Sequence, residues 1–309
     1  MQQKSRDFQV YQKQLFAKPR QKSLGFPKFK RKSDSQSYRL PNQKVKLLAN
    51  LIQLEKIGKV KMVVVRPIPA DSRVLSATIS KNKAQQYFVS ICVEETIKTK
   101  PKTEKGVGVD LGLKAFATLS DGIVLENPRF LKRHLEKLRQ LQRYLSRKVK
   151  NSKGWRQCRL KIARLHQAIS NQRQWFLHHC TSYLVNHYDN ISIEDLHVSG
   201  LLKNHKLAGA IADVSWSEFK RLLAYKCLWY GKRLVVIDRF APSSKTCSAC
   251  GWKAAHLSLK ERVFECSICG LSLDRDLNAA RNIYALGVDS ALGTPRVAVT
   301  KPVEAFRVT

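Results

Sequence analysis

Two cysteine pairs, Cys247-x-x-Cys250 and Cys266-x-x-Cys269, lie fifteen residues apart in this chain. A pair at that spacing forms a knuckle whose two thiolates reach one ion, and two knuckles close a tetrahedral sulfur site. Thiolate ligands select zinc, and with four of them no position stays open for water. The site is therefore structural, with one zinc per chain. His256, in the loop between the pairs, reads as a surface residue, because four thiolates already suffice. The remaining cysteines, Cys92, Cys158, Cys180 and Cys227, are scattered among apolar neighbours and read as reduced, buried small hydrophobes.

The second chemical set is made of acids. The chain carries 57 lysines and arginines against 23 aspartates and glutamates, a formal net charge of +34. In such a protein an acid at a strand end or helix start needs a reason. Asp110 sits inside the apolar run Gly106 to Gly112, where an ionised carboxylate is costly unless a cation compensates it. Glu194 ends the apolar run Ile191-Ser192-Ile193, and Asp276 opens a helix in Asp274-Arg275-Asp276-Leu277-Asn278. Hard oxygen ligands of this kind suit Mg²⁺ or Mn²⁺. Two such ions about 3.5–4 Å apart can activate water and stabilise the leaving oxygen of a phosphodiester. Asp274 and Asp195 keep plainer readings, as a turn or capping residue and a strand-end acid.

The elements that must position these acids follow from periodicity. Residues 57 to 95 alternate with period two (Val60, Met62, Val64; Ala77, Ile79; Tyr87, Val89, Ile91, Val93), which predicts a small antiparallel sheet or barrel. A Lys/Thr-rich linker around Pro101 leads to strands at Gly106 to Gly112, Ala115 to Leu119 and Ile123 to Leu125, with Asp121-Gly122 as a hairpin turn. A helical hairpin follows, with Leu131, Leu135, Leu138, Leu141, Leu145 and Val149 on one stripe and a break at Asn151 to Gly154. A fourth strand covers Asn190 to Leu196. Ser215-x-x-Glu218 reads as a capping box opening a helix that stops near Gly231. A fifth strand (Leu234 to Asp238) enters the cysteine cluster, and a last helix runs from about Asp276 to Gly287. Strand meander, helix, strand, helix, strand, helix is the element order of an RNase H-like fold of the RuvC type. The chain is thus expected to be α/β, with a helical hairpin and a zinc ribbon inserted into the nuclease fold and a small barrel-like β domain before it. The expected boundaries are a basic arm (1–50), the β domain (51–100), the nuclease domain (105–288, ribbon 243–273) and a tail (289–309).

The cationic excess points to a long polyanion, since each neutralised phosphate releases counterions. No segment approaches a membrane-spanning length and no signal peptide opens the chain, so a cytoplasmic, nucleoid-associated protein is expected. From Pro128 to Cys180 there are 15 lysines and arginines and one acid, Glu136. Arg139, Arg143 and Arg147 step by four along one helix face, a candidate nucleic-acid stripe. In the first 50 residues, 13 cations face 2 aspartates. There Gly25-Phe26-Pro27-Lys28-Phe29-Lys30-Arg31-Lys32 interleaves rings with charges. Two readings of that arm stand: Lys28, Lys30 and Arg31 lie along a phosphate backbone beside stacking rings, or the arm is a solvated basic tail.

GVGVDLGLKAFATLSDG, ISIEDL, and PSSKTCSACG through CSICGLSLDRDLNAARNI resemble the three RuvC segments and the zinc ribbon of TnpB proteins. These are transposon-encoded RNA-guided DNA endonucleases related to type V CRISPR effectors. The resemblance runs from about Gly25 to Leu286. It implies that Asp110, Glu194 and Asp276 are the catalytic acids, that the partners are a guide RNA and a target DNA, and that the β domain is a wedge-type barrel for the RNA scaffold. Members usually carry a first barrel strand and a helical recognition lobe upstream of the matching segment; only 24 residues precede it here, which implies an N-terminally short form. A non-cleaving binding or regulatory derivative is the competing reading. A sugar-kinase-like ATPase is disfavoured because Gly108 to Gly112 has no later glycine-rich phosphate loop as a partner. Gly106, Gly108 and Gly112 do not fit a dinucleotide fingerprint, and His178-His179 read as ordinary helix residues.

Overall fold

A computed structural model describes residues 36–64, 67–68, 72–258 and 261–293 of the chain. They form two compact units. The first holds six strands: β1 (Gln36–Pro41), β2 (Val45–Leu48), β3 (Leu51–Leu54), β4 (Gly58–Lys61), β5 (Arg73–Lys81) and β6 (Tyr87–Glu94). They pair as two three-stranded sheets, β1-β5-β6 and β2-β3-β4. Buried Val45, Ile52, Leu54 and Ala77 join both sheets through one apolar cluster, with Leu40, Leu47, Ile79 and Val89 packed around it.

This unit corrects several expectations. β1 and β2 fall inside the stretch read as an unpatterned arm. Their apolar alternation (Leu40; Val45, Leu47) is short and diluted by Arg39, Lys44 and Lys46, which masks a period-two signal. Val64 lies beyond β4, and Tyr87 is exposed although it shares a phase with buried Ile91. Cys92, on the opposite face from Ile91, is half-buried rather than buried.

The second unit is built on a five-stranded sheet of order β11-β10-β7-β8-β9. Its strands are β7 (Gly106–Leu111), β8 (Ala115–Leu119), β9 (Val124–Glu126), β10 (Asn190–Glu194) and β11 (Arg233–Ile237). β7, β10 and β11 run parallel, while β8 and β9 complete an antiparallel meander. Between β9 and β10 stand α1 (Phe130–Ser146) and α2 (Lys153–His187). Between β10 and β11 come α3 (Val198–Leu201), α4 (Ala208–Val214) and α5 (Trp216–Tyr230), and α6 (Arg275–Gly293) ends the described chain. No described helix is long and apolar enough to cross a membrane.

Each face of the sheet has its own cover. Val107, Val109, Ile191 and Ile193 point to the face filled by Leu177, Leu184, Phe219, Leu222 and Leu223 of α2 and α5. The intervening residues of β7 and β10 face α6, and glycines make the approach close. A Cβ on Gly108 would stand 2.1 Å from the Ala280 carbonyl oxygen and 2.5 Å from the Tyr284 nitrogen. A Cβ on Gly106 would enter the Tyr284 ring, and one on Gly287 would stand 1.9 Å from Ser192 Oγ.

The helical hairpin closes on Leu138, Leu165 and Ile169. Its break is set by Asn151 in the left-handed region and by Ser152, whose hydroxyl caps α2 at Trp155 N, 3.1 Å away. Gly154 lies inside α2, and Val149 lies off the apolar stripe, 80% exposed beyond the end of α1. The capping box at Ser215 does not form. Ser215 ends α4 and begins α5 at φ 58°, so its hydroxyl turns back to the Ala212 carbonyl, and Glu218 pairs with Arg221 instead. α1 has no cap of its own; Asp213 of α4 accepts from Leu131 N at 2.9 Å and also holds Arg173.

The two atoms nearest a Gly108 side chain are backbone, so Gly108→Ala should force α6 off β7. A loss of roughly 1–3 kcal/mol is expected in urea denaturation. Gly209→Ala, in α4 with nothing within 4 Å of the added carbon, should be neutral or stabilising because alanine is the better helix former.

Candidate metal centres and nucleic-acid surface

Strand period and helix period together place the acids. Gly106, Gly108 and Asp110 share one face of β7, spaced roughly 6.6 Å apart per two residues. Tyr284, Ala280 and Asp276 share one line of α6, spaced about 6 Å per four residues. Gly106 meets Tyr284 and Gly108 meets Ala280; the next step of both series brings Asp276 to Asp110. In β10, Ile193 pairs with Val109, so Glu194 and Asp110 follow side by side on the same face. The three half-buried acids thus gather at the carboxyl-terminal edge of the parallel strands, where open α/β sheets bind ligands.

Their electrostatics differs from that of the ion-paired acids nearby. Asp189 is held by Lys232, Asp195 by Lys220 and Arg239, Asp213 by Arg173, and Glu218 by Arg221. The two cations beside Asp195 pull its carboxyl down to about 2. Among the described residues, by contrast, no lysine or arginine forms an ion pair with Asp110, Glu194 or Asp276. Asp110 is pushed up to about 8, first by desolvation and then by the charges of Glu194 and Asp276, with Arg275 opposing. Such a cluster in a protein of net charge +34 is short of a cation, and its all-oxygen donor set suits Mg²⁺ or Mn²⁺. Asp274 acts differently. Its Oδ1 accepts from Asp276 N (2.9 Å) and Leu277 N (3.1 Å), capping α6.

The four cysteines meet at one point, their sulfurs all within 4.8 Å of one another. Cys247 and Cys269 sulfurs are 3.6 Å apart, and Cys250 and Cys266 sulfurs 3.5 Å. Disulfides are excluded at that separation, whereas zinc–sulfur bonds of about 2.3 Å give a tetrahedron edge of roughly 3.8 Å. The knuckles are built alike. Gly251 N and Gly270 N turn back to the carbonyls of Cys247 and Cys266, each at 3.0 Å, and both glycines have positive φ (77° and 72°). Desolvation works against the Cys266 thiolate, yet the N–H groups of Cys269 and Ile268 draw that thiol down to about 6. Cys269 is held up at about 12 by desolvation and its thiol neighbours, despite the Leu271 N–H. Phe264 and Trp252 pack beside the sulfurs, and the hairpin β12 (Val263–Glu265) with β13 (Ser272–Asp274) carries the second pair into α6. His256 is not among the clustered ligands.

Sequence reasoning missed the residues that tie this ribbon to the acids. Buried Asn278 accepts from Ser248 N (2.9 Å) and donates to the Thr246 carbonyl (2.7 Å). Buried Asn282 donates to the carbonyls of Ser243 (2.7 Å) and Thr246 (2.6 Å). Ser243 Oγ in turn donates to Glu194 Oε1. Two asparagines four apart among alanines in a buried helix face were the available signal.

Arg139, Arg143 and Arg147 are exposed along α1 and at its end; Arg143 also meets Glu136 at 3.3 Å across an exposed, weak pair. Tyr144 (60% exposed) lies under Lys148 beside this stripe, and on α2 Trp175 (67% exposed) stacks on His179. His178 and His179 are α2 residues, His178 held below the usual histidine range by desolvation and by Lys226. Lys28, Lys30 and Arg31 lie outside the described residues.

A filled ribbon should contain about one zinc per chain by elemental analysis. Cys247→Ser or Cys266→Ser should lose the metal and lower the melting temperature, because closed thiolate sites contribute folding energy directly.

Comparison with known proteins adds the lineage. A family model described as "Probable transposase" matches residues 90–205, and one described as "Cas12f1-like, TNB domain" matches residues 216–283. Two relatives carry the name "Putative RNA-guided DNA endonuclease". That of Streptomyces pristinaespiralis is 44% identical over 223 residues, 72% of this chain and 55% of its own length. InsQ of Escherichia coli (strain K12) is 34% identical over 305 residues, 93% of this chain and 74% of its own. The chain therefore spans about half the length of the Streptomyces relative. A TnpB-like protein of Acanthamoeba polyphaga mimivirus, L79, is 27% identical over 203 residues, 60% of this chain and 38% of its own. A solved Cas12f1–sgRNA–target DNA complex superposes with a TM-score of 0.49 at 15% identity, covering 69% of this chain and 46% of that one. With 34% identity to InsQ across 74% of that protein, the chain belongs to the TnpB family.

Proposed function

We propose that this chain is an RNA-guided DNA endonuclease that cuts phosphodiesters at Asp110, Glu194 and Asp276. The observation that carries the reading is the convergence of three acids without ion-pair partners on one sheet edge of a protein with net charge +34. The sheet order, with parallel β7, β10 and β11 beside an antiparallel meander, supports an RNase H-like domain of the RuvC type over 105–288, with the ribbon at 243–273 as its insert. The first unit would be the wedge-type domain that holds the RNA scaffold.

Asp110, Glu194 and Asp276 would hold Mg²⁺ or Mn²⁺. When bound, such cations supply an activated water and neutralise the leaving oxygen. The protein's own contribution is placement. β7 and β10 fix two carboxylates on adjacent parallel strands, and α6 brings the third, its backbone closing directly on Gly108. The α1–α2 hairpin, with 15 cations to one acid from Pro128 to Cys180, would hold phosphates while base pairing reads sequence. The guide RNA and target DNA come to this chain through the names of its relatives and through that charge.

Replacing Asp110, Glu194 or Asp276 by Ala should abolish Mn²⁺-dependent, EDTA-sensitive cleavage of guide-matched DNA while nucleic-acid affinity persists. Asp274→Ala should retain cleavage and lose about 1 kcal/mol of stability with its cap. Cleavage by the Asp110→Ala protein at the wild-type rate would sink the reading.

Replacing Arg139, Arg143 and Arg147 together by Gln tests the hairpin. The log–log salt slope of RNA or DNA binding should fall by roughly one for each phosphate no longer neutralised. An unchanged slope would return the stripe to a solvated helix face.

A further inference from the structure

Ser243 is buried, and its hydroxyl donates to Oε1 of Glu194. Nothing about a serine in a loop before a zinc knuckle demands that contact; a solvated serine would satisfy the loop equally well. Its backbone is held from several directions. Ser243 N donates to the Ala241 carbonyl at 2.8 Å, and Asn282 grips the Ser243 carbonyl. The Pro242 carbonyl accepts from Thr246 N at 3.1 Å and from Thr246 Oγ1 at 2.7 Å, closing the turn that runs into Cys247. The donor is therefore anchored at one end by the ribbon's first knuckle and at the other by the helix that carries Asp276.

We propose that Ser243 is a positioning residue for the catalytic divalent cation: it fixes the Glu194 carboxylate so that its free oxygen faces Asp110 and Asp276. The proposal rests on the nuclease reading of those three acids. A glutamate has three rotatable side-chain bonds, and one hydrogen bond to a rigid donor removes most of that freedom before the ion arrives. It also keeps one oxygen of Glu194 occupied, leaving the other for the metal. Hydrogen-bond partners of ligating carboxylates typically change metal affinity by about 10–100-fold when removed. The ribbon thereby acquires a second role, because the loop that it closes holds one wall of the carboxylate site.

The test is a Mn²⁺ titration of the zinc-loaded full chain, followed by the electron paramagnetic resonance of free Mn²⁺, with no nucleic acid present. Asp110→Ala defines the signal that belongs to the carboxylate site. Ser243→Ala should weaken Mn²⁺ binding on the order of tenfold or more, and Ser243→Thr, which restores a hydroxyl, should recover most of it. Zinc content and melting temperature, measured on both variants, should stay near wild type and so separate positioning from unfolding. A wild-type titration no tighter than that of Asp110→Ala would overturn the three-acid reading and this proposal with it. Tight binding by wild type and equally tight binding by Ser243→Ala would overturn the positioning role alone and leave the nuclease reading standing. A Ser243→Thr protein as weak as Ser243→Ala would also overturn it, since the hydroxyl would then not be the operative group.

Discussion

The geometry of the second unit depends on glycines where α6 lies on β7 and β10. Side chains ordinarily hold a helix away from a sheet; here Gly108 lets the α6 backbone against β7, and Gly106 and Gly287 leave room for the Tyr284 ring and the Ser192 side chain. The close approach has a geometric result and an energetic one. It lets Asp276, a short side chain, reach the sheet edge beside Asp110. It also forgoes the apolar burial that larger residues would contribute at those positions. Glycine at Gly108, where the helix backbone takes the place of a side chain, makes sense if the distance between two carboxylates matters more than the lost burial.

That distance is electrostatically adverse by itself. Desolvation and the charges of Glu194 and Asp276 push Asp110 up to about 8, so without a cation the cluster takes up a proton rather than ionise fully. Two acids flanking β10 are treated oppositely. Asp189 receives Lys232 and the N–H groups of Thr103 and Glu104 at 2.7 and 2.6 Å, and Asp195 receives two cations. With 57 basic residues available, leaving three neighbouring acids without ion pairs is a choice of placement rather than a shortage of partners. The same excess of basic charge then serves the surface, where α1 and α2 carry it with exposed rings between.

What could be read from residues alone followed the strength of the local code. β7, β8, β10 and β11 announce themselves by apolar runs ending at glycine or acid, and the helical hairpin by its three-four stepping of leucines. The cysteine knuckles needed only spacing. β1 and β2 escaped because their alternations are four to six residues long and interrupted by Arg39 and Lys46, below the length at which period two stands out. Ser215 misled for a different reason: a capping box is a local pattern, but the residue also had to end α4, and the left-handed turn between two abutting helices won. Ser243 carries no local code, and Asn278 and Asn282 carry only a faint one, two amides four apart among alanines. Their roles exist only once α6, the β11 exit and the first knuckle are brought to one place, which is tertiary information.

The ribbon's position in the chain then has a physical explanation. It leaves the sheet at the end of β11 and returns at the start of α6, both at the edge where the acids gather. An insert there can disturb the site unless its ends are clamped. The clamp consists of Asn278 and Asn282, whose amides take up the Ser243 and Thr246 carbonyls and the Ser248 N–H. Zinc closure of the knuckles would stiffen the loop so that those bonds fix a position rather than follow it. A structural metal in a closed thiolate site adds no chemistry of its own. Ser243 touches Glu194, so on the proposed reading the stability of the ribbon and the geometry of the acids are mechanically joined.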